Sequence, residues 1–526
     1  MKESQRFLQL HHNRMMKTRS TFEGEHRMLP YTQEAEWVHV SELYHAQKHN
    51  LLEICLEKKF NSEEKIQQKW DALRPNIIAK RRFEKLVYST MCTRSSRCAF
   101  MEDIPDSLSK TQLQKYMDLG YDWIQRIRFR HVGSHVFGVC DAVIRTSFLQ
   151  TLLVPNTLPL TITGEYVLVV LQPSFQSFCA NLQQQALLRY FAEGEPRIAQ
   201  DGIVVVRKDL QPLVYPMDRD ETIVEPIRRI RRLKRLSPLL DLDEELPIQL
   251  WPNMKQGSTA WSPERWDIAF RLGEITMLWG CDDRHRQKAL EQGVSSWRDP
   301  RFTPELVGFT ETKAEILLRI VEINRHPTEW LYVEKDNLEA SFPELQDSTL
   351  RHLFVDFEYF IDDHFIYLIG VWDASKKEYR AFWAKERTAE AWENMWKSFC
   401  AYLESTPSHC WYWYAEKKMM EKTGAPLENL DETWTDLWGV CRAGVAVRGA
   451  FDFSLKSFVK AFHQHGKMPF SYADLEECQD GLASIGVAQK YFATREERLK
   501  HTLEKYNRYD CEAMAHIWEA VRTALS

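Results

Sequence analysis

Residues 351–372 read RHLFVDFEYFIDDHFIYLIGVW, an apolar run that ends in Asp356, followed by Phe357 and a second acid, Glu358. On a strand, residues i and i+2 face the same side, so the two carboxylates project together. They repel each other unless a cation sits between them, and they are oxygen ligands of the kind Mg²⁺ or Mn²⁺ takes. A polar turn at 361–364 leads to a second apolar run, 365–371, expected as the hairpin partner. A third strand is expected over 379–384, an amphipathic helix over 389–403, and an aromatic strand over 409–414 that ends at Glu416. A helix follows through Lys422, then the segments 434–438 and 454–459, with Ser454 expected as an N-cap. The last helix, 502–525, carries Tyr506 and Asp510 four residues apart and therefore on one face.

Upstream the texture differs. Periodicity predicts helices over 37–58, with Val38, Leu43, Leu51 and Leu52 among the apolar positions, over 77–91 and over 109–129. Strand-like runs cover 135–145, 165–172 and 202–206, with a Gln-rich helix at 178–191 before the last of them. Residues 262–324 read as helical, and 337–348, polar with one proline, is expected as a linker. A dense basic run at 228–235 precedes Asp241, Asp243, Glu244 and Glu245. Either the two runs neutralise each other or form solvated faces, or the basic one grips phosphate.

Composition narrows this picture. A chain of 526 residues is too long for one core, so two or three domains are expected. A net charge of −6 sets up no global basic field, so any nucleic-acid contact must come from local patches. No apolar run is long enough to predict a membrane span, and the polar, basic N-terminus lacks the apolar stretch of a secretory signal. Eleven cysteines without a CxxC pair fit free thiols in a reducing compartment. The expected setting is intracellular and soluble, in cytoplasm or nucleus, with no membrane partner.

Two resemblances add to these readings. A helix with Glu84, a strand with Gly138-Val139-Cys140-Asp141, then strand, Gln-rich helix and strand resembles the RecB-like nucleases of the PD-(D/E)XK superfamily. In that family the second strand carries Asp-x-Lys, one acid holding metal and the Lys supporting the nucleophile. Here those positions are Val170 and Gln172. Loss of both groups implies a nuclease-like domain without catalysis.

The C-terminal order of three strands, helix, strand and helices resembles the ribonuclease-H-like fold. Its acids resemble those of the DEDD exonucleases, and more closely the YprB-type domain found behind RecB-like nuclease domains in bacteria, with relatives in large DNA viruses; a virus-encoded protein is within the expectation. The Asp-x-Glu motif stands as Asp356 and Glu358, and the Tyr-x-x-x-Asp motif as Tyr506 and Asp510. The middle motif is altered, with Glu416 as its acid and Asp436 as the alternative. The resemblance implies two Mg²⁺ or Mn²⁺ ions about 4 Å apart, held by Asp356, Glu358, Glu416 and Asp510, with Tyr506 orienting the attacking water.

The expected fold class is thus mixed α/β: a flexible lead-in (1–34), a degenerate restriction-endonuclease-like domain (35–255), a helical connector (256–346) and a ribonuclease-H-like domain (347–526). The expected function is divalent-metal-dependent 3′–5′ exonucleolytic hydrolysis of DNA or RNA. The alternatives are a catalytically degenerate nucleic-acid-binding or scaffold protein and, on the same fold, an endonuclease of the Holliday-junction type.

Overall fold

The computed structural model of the chain describes residues 37–60, 62–153, 163–174, 181–192, 194–216, 221–244, 246–256, 261–360, 363–405, 407–425, 433–475, 478 and 481–526. The expected lead-in, the start of the Gln-rich helix (178–180), Glu245 and the hairpin tip (361–362) lie outside the described residues. The chain forms two compact units, one from the described residues of Met1–Gln47, Ile54–Asn61 and Ala79–Asp241, the other from those of Lys48–Glu53, Ser62–Ile78 and Leu242–Ser526.

The first unit contains a seven-stranded mixed sheet. Its strands are β1 (Val38–His39), β2 (Cys98–Phe100), β3 (Trp123–His131), β4 (Val136–Arg145), β5 (Tyr166–Leu171), β6 (Ile198–Val206) and β7 (Pro212–Pro216). The order is β2-β3-β4-β5-β6-β7, with β1 alongside β4. Two expected helices give way here. Residues 37–58 do not form one helix: Val38–His39 pairs with Val136–Phe137, and the chain then breaks into Leu43–Gln47 and Leu52–Lys59, with His49 at φ +48° between them. Pairing with the sheet outweighs the apolar periodicity of this segment. The helix expected over 109–129 ends at Asp118, because Gly120, at φ +68°, turns the chain in the left-handed region. Residues 123–131 then run antiparallel to β4 instead.

The basic run lies on the helix Val224–Leu236, with Ile227, Ile230 and Lys234 buried. Lys234 pairs with Glu42 at 2.6 Å and donates to the Trp37 carbonyl at 2.7 Å, so its partner is not the acidic run that follows.

The second unit includes the helices Ser262–Leu272, Asp283–Glu291 and Glu311–Arg325. A short antiparallel pair, β8 (Leu331–Val333) and β14 (Val445–Val447), also belongs to it. Residues 337–348 are not a free linker. They form the helix Lys335–Ser341 and a turn at Pro343–Leu345, with Leu338 and Leu345 fully buried.

The main sheet of this unit has five strands: β9 (Arg351–Tyr359), β10 (Ile366–Asp373), β11 (Glu378–Trp383), β12 (Ser408–Tyr412) and β13 (Trp434–Asp436). Their order is β11-β10-β9-β12-β13, antiparallel among the first three and parallel from β9 to β13. Both faces of β9 are covered, which explains its nearly continuous apolar run. Leu353, Val355 and Phe357 pack against Met395, Trp396 and Phe399 of the helix Ala389–Glu404. On the other face, Phe354 joins the core that includes Ile517 and Trp518 of the last helix, Glu497–Leu525. Asp356 and Glu358 follow Phe354 in the two-residue alternation, on the face of the last helix. The aromatic strand stops at Tyr412, two residues earlier than expected, because Tyr414 turns at φ +70°.

Candidate metal centre

Three of the sequence-nominated acids come together. Asp356, Glu358 and Asp510 each offer a carboxylate oxygen, and these atoms all lie within 4.8 Å of one another. Strand alternation aims the first two acids, and the last helix brings the third across the sheet. Glu416 is buried at the first turn of the helix Glu416–Thr423, outside that 4.8 Å group. Its Oε2 accepts the Trp413 backbone N–H at 3.2 Å. Asp436 does other work: its Oδ1 accepts the backbone N–H of Trp438, capping the helix Leu437–Gly444, and that of Tyr414, both at 3.0 Å.

Each of the three clustered acids accepts hydrogen bonds from neutral donors. Asn507 donates from Nδ2 to Asp356 Oδ2 at 2.7 Å and is itself held by the Tyr379 hydroxyl at 2.8 Å. The hydroxyls of Ser484 and Tyr367 donate to Glu358 Oε2 at 2.9 and 3.4 Å. Asp510 accepts from the hydroxyls of Tyr472 and Tyr506. Other buried acids of this unit are paired with cations instead: Asp373 with Arg351 at 2.7 Å and Glu274 with Arg286 at 3.1 Å. A buried carboxylate normally takes a cationic partner. Lys456, on the helix Leu455–Gln464, lies 5.3 and 5.6 Å from the Tyr472 and Tyr506 ring centres and lowers the proton affinity of Glu358 and Asp510 through its charge.

Burial and mutual repulsion keep protons on this cluster. Desolvation, then the Asp510 charge, push Glu358 up to about 8. Desolvation carries Glu416 to about 8 and Asp510 to about 6, and Asp356 well above the ordinary carboxylate range. Hard oxygen donors with like charges this close, buried at Glu358 and Asp510 and half-buried at Asp356, fit a divalent cation, which would supply the missing positive charge.

These shifts predict a pH dependence. The folded carboxyls hold protons more tightly than the unfolded chain does, so metal-free stability falls as pH rises from the ordinary carboxylate range toward 8. In chelator the melting temperature is expected to drop by about 4 °C or more between pH 5 and pH 8. Mn²⁺ should restore more of it at pH 8 than at pH 5, because fewer protons must then be displaced from the ligands. A metal-free melting temperature that climbs over this interval contradicts the cluster.

Sequence reasoning missed Asn507, Tyr379, Ser484, Tyr367 and Tyr472. One signal existed: Asn507 is a poor helix former in mid-helix, one residue after Tyr506.

The acids nominated in the first unit are not gathered in this way. Glu84 lies 3.3 Å from both Arg81 and Arg126, and Asp141 pairs with Lys80 at 3.0 Å and accepts the Leu171 N–H. Val170 lies on β5, and the Gln172 amide donates to Ser174. Among the described residues, Asp356, Glu358 and Asp510 are the one group of three or more His, Cys, Asp or Glu residues with ligand atoms within 4.8 Å of one another, and no helix is long and apolar enough to cross a membrane.

No curated protein and no solved structure matches the chain. The description RNase H superfamily matches residues 353–522, which span β9 through most of the last helix. The C-terminal part of the chain is therefore a ribonuclease-H-like domain.

Proposed function

We propose that the C-terminal domain is a 3′–5′ exonuclease hydrolysing phosphodiester bonds of DNA or RNA with two divalent cations, Mg²⁺ or Mn²⁺. The observation that carries this reading is the group of Asp356, Glu358 and Asp510, whose ligand atoms lie within 4.8 Å and whose named donors are neutral. These three, with Glu416 from the neighbouring turn, would hold the ions. When bound, the ions lower the pKa of a water and offset charge on the leaving oxygen.

The chain's own groups do the rest. Asn507, Ser484 and Tyr472 fix the orientation of the acids before any ligand arrives, as neighbouring hydrogen bonds do for metal ligands generally. Burial and the nearby Asp510 charge push the Tyr506 phenol far up, so it stays protonated. Its single proton goes to Asp510, so its oxygen is free to accept a hydrogen bond from the attacking water and orient it, and the phenol does not act as a base.

Tyr506→Phe is expected to lower kcat by about 10²-fold while leaving KM near wild type. Tyr472 still donates to Asp510 in this variant, so the acid stays in place. Equal turnover of Tyr506→Phe and wild type across pH would reduce Tyr506 to packing. The test of the whole reading is degradation of end-labelled DNA and RNA with and without Mn²⁺. Loss from the 3′ end that stops in Asp356→Asn is the expected result.

For the first unit we propose a nuclease-like sheet without a competent metal site, in keeping with Val170 and Gln172 at the altered positions and with the cationic partners of Glu84 and Asp141. Residual cleavage in Asp356→Ala that disappears on a further Asp141→Ala change would overturn this.

A further inference from the structure

Around the turn that carries Glu416, aromatic and cationic side chains alternate. Tyr414, 55% exposed, has its ring centre 4.8 Å from that of Trp438. Arg442 lies 4.7 Å from the Trp438 ring and 5.8 Å from that of Trp279. Lys418 lies 5.9 Å from the ring of Tyr414. Trp438, Arg442 and Trp279 are half-buried, and Lys418 is exposed. Trp279 and Trp438 rest one side on the core and leave the other partly open, whereas Tyr414 is exposed, unlike Trp396 and Trp411, which are wholly buried.

Its construction is specific. Tyr414 adopts φ +70°, a region that a bulky side chain enters only under constraint, and such residues concentrate at functional sites. One oxygen of Asp436 supplies the constraint. It accepts the backbone N–H of both Tyr414 and Trp438, setting the two rings side by side. The same turn carries Glu416, two residues on, whose charge acts on Asp356.

We propose that Tyr414, Trp438, Arg442 and Trp279 form a stacking track for the single-stranded end of the nucleic acid that the acid cluster cleaves; this rests on the nuclease reading above. Ring faces stack on unpaired bases of any sequence, and Arg442 and Lys418 supply the charge that phosphates require in a chain whose net charge is −6. A base pair buries the faces the track needs, so a duplex gains only the phosphate contacts. The substrate is therefore a single strand or a frayed end, and Asp436 acts as a positioning residue for this track.

The test measures binding of labelled oligo(dT), oligo(rU) and a blunt duplex by fluorescence anisotropy, with Mg²⁺ present and in the full chain carrying Asp356→Asn, so that bound strand is not consumed. A further Tyr414→Ala change is expected to weaken both single strands by about tenfold or more. Tyr414→Phe, which keeps the ring, retains affinity and reports on stacking independently of any folding defect. The duplex should bind more weakly and ignore Tyr414→Ala. A preference between the two single strands identifies the natural one. Single-strand affinity unchanged by Tyr414→Ala, or a duplex bound as tightly with the same dependence, overturns the track. Wild-type turnover of a small chromogenic phosphodiester with Mn²⁺ separates the two claims. Turnover without single-strand binding sinks the track alone. Absence of both that turnover and oligonucleotide degradation sinks the nuclease reading.

Discussion

Asp356→Asn and Asp510→Asn are each expected to cut exonuclease turnover by about 10³-fold or more, a loss of about 4 kcal/mol of transition-state stabilisation. Each change is isosteric and removes one charge from the group of oxygens within 4.8 Å. The same step should not weaken the metal-free fold. The wild-type cluster crowds desolvated acids together, which is why Glu358 and Glu416 are pushed up to about 8. Taking one charge away relieves that repulsion, so the melting temperature in chelator at pH 8 is expected to hold or rise, as is common where a site is built at the cost of stability. Asp373→Asn serves as the opposite case. It breaks the buried pair with Arg351 and leaves a buried guanidinium short of its partner, so it should cost about 3 kcal/mol of stability without touching the chemistry. Turnover and chelator melting curves for the three variants decide the matter. If Asp356→Asn unfolds like Asp373→Asn, or retains turnover, the cluster is structural and the proposed function fails.

The parts of this site that could be read in sequence share one property: their geometry is local. Asp356 and Glu358 are two apart on a strand, and Tyr506 and Asp510 four apart on a helix, so period alone places each pair on one face. The strands β9, β10 and β11 and the helix Ala389–Glu404 followed from apolar runs of the right length. The groups that orient the acids could not be found in that way. Asn507 reaches Asp356 across 151 residues of chain and Ser484 reaches Glu358 across 126, so packing alone creates those contacts. The fifth strand, Trp434–Asp436, is three residues long, below what a periodic pattern can register. In the first unit the misread segments are those whose partner is distant. Residues 37–58 carry a helical pattern yet give two residues to a strand beside β4, and 123–131 leave the helix only because Gly120 ends it.

Gly370→Ala is expected to be among the most damaging single-methyl changes in the domain. Gly370 sits opposite Asp356 in the β9–β10 ladder. An isolated glycine inside a strand often marks a close approach by another group, and here that group is the last helix. A Cβ on Gly370 would fall 1.5 Å from Oδ1 of Asn507 and 3.0 Å from Cε2 of Tyr379. The backbone of Gly370 asks for no special conformation, so space alone is at stake. Asn507 is fully buried and fixed at both ends, by the Tyr379 hydroxyl and by Asp356, so it has no open rotamer to adopt. The methyl must therefore push the last helix off the sheet or break both hydrogen bonds. Overpacking of this kind costs about 1–3 kcal/mol, and more where neighbours cannot yield. Because Asn507 and Asp510 ride the same helix, any shift also separates Asp510 from Asp356, so turnover should fall together with stability. Pairing Gly370→Ala with Asn507→Ala distinguishes this account from a general strand defect. Asn507→Ala removes the obstructing oxygen, so the double variant should be more stable than the sum of the two single losses implies, a coupling expected only between groups in contact. Activity should stay low in the double variant, since Asp356 has lost the amide that orients it. Additive losses in stability, or a Gly370→Ala protein as stable and active as wild type, would show that the last helix does not press on β10 as described.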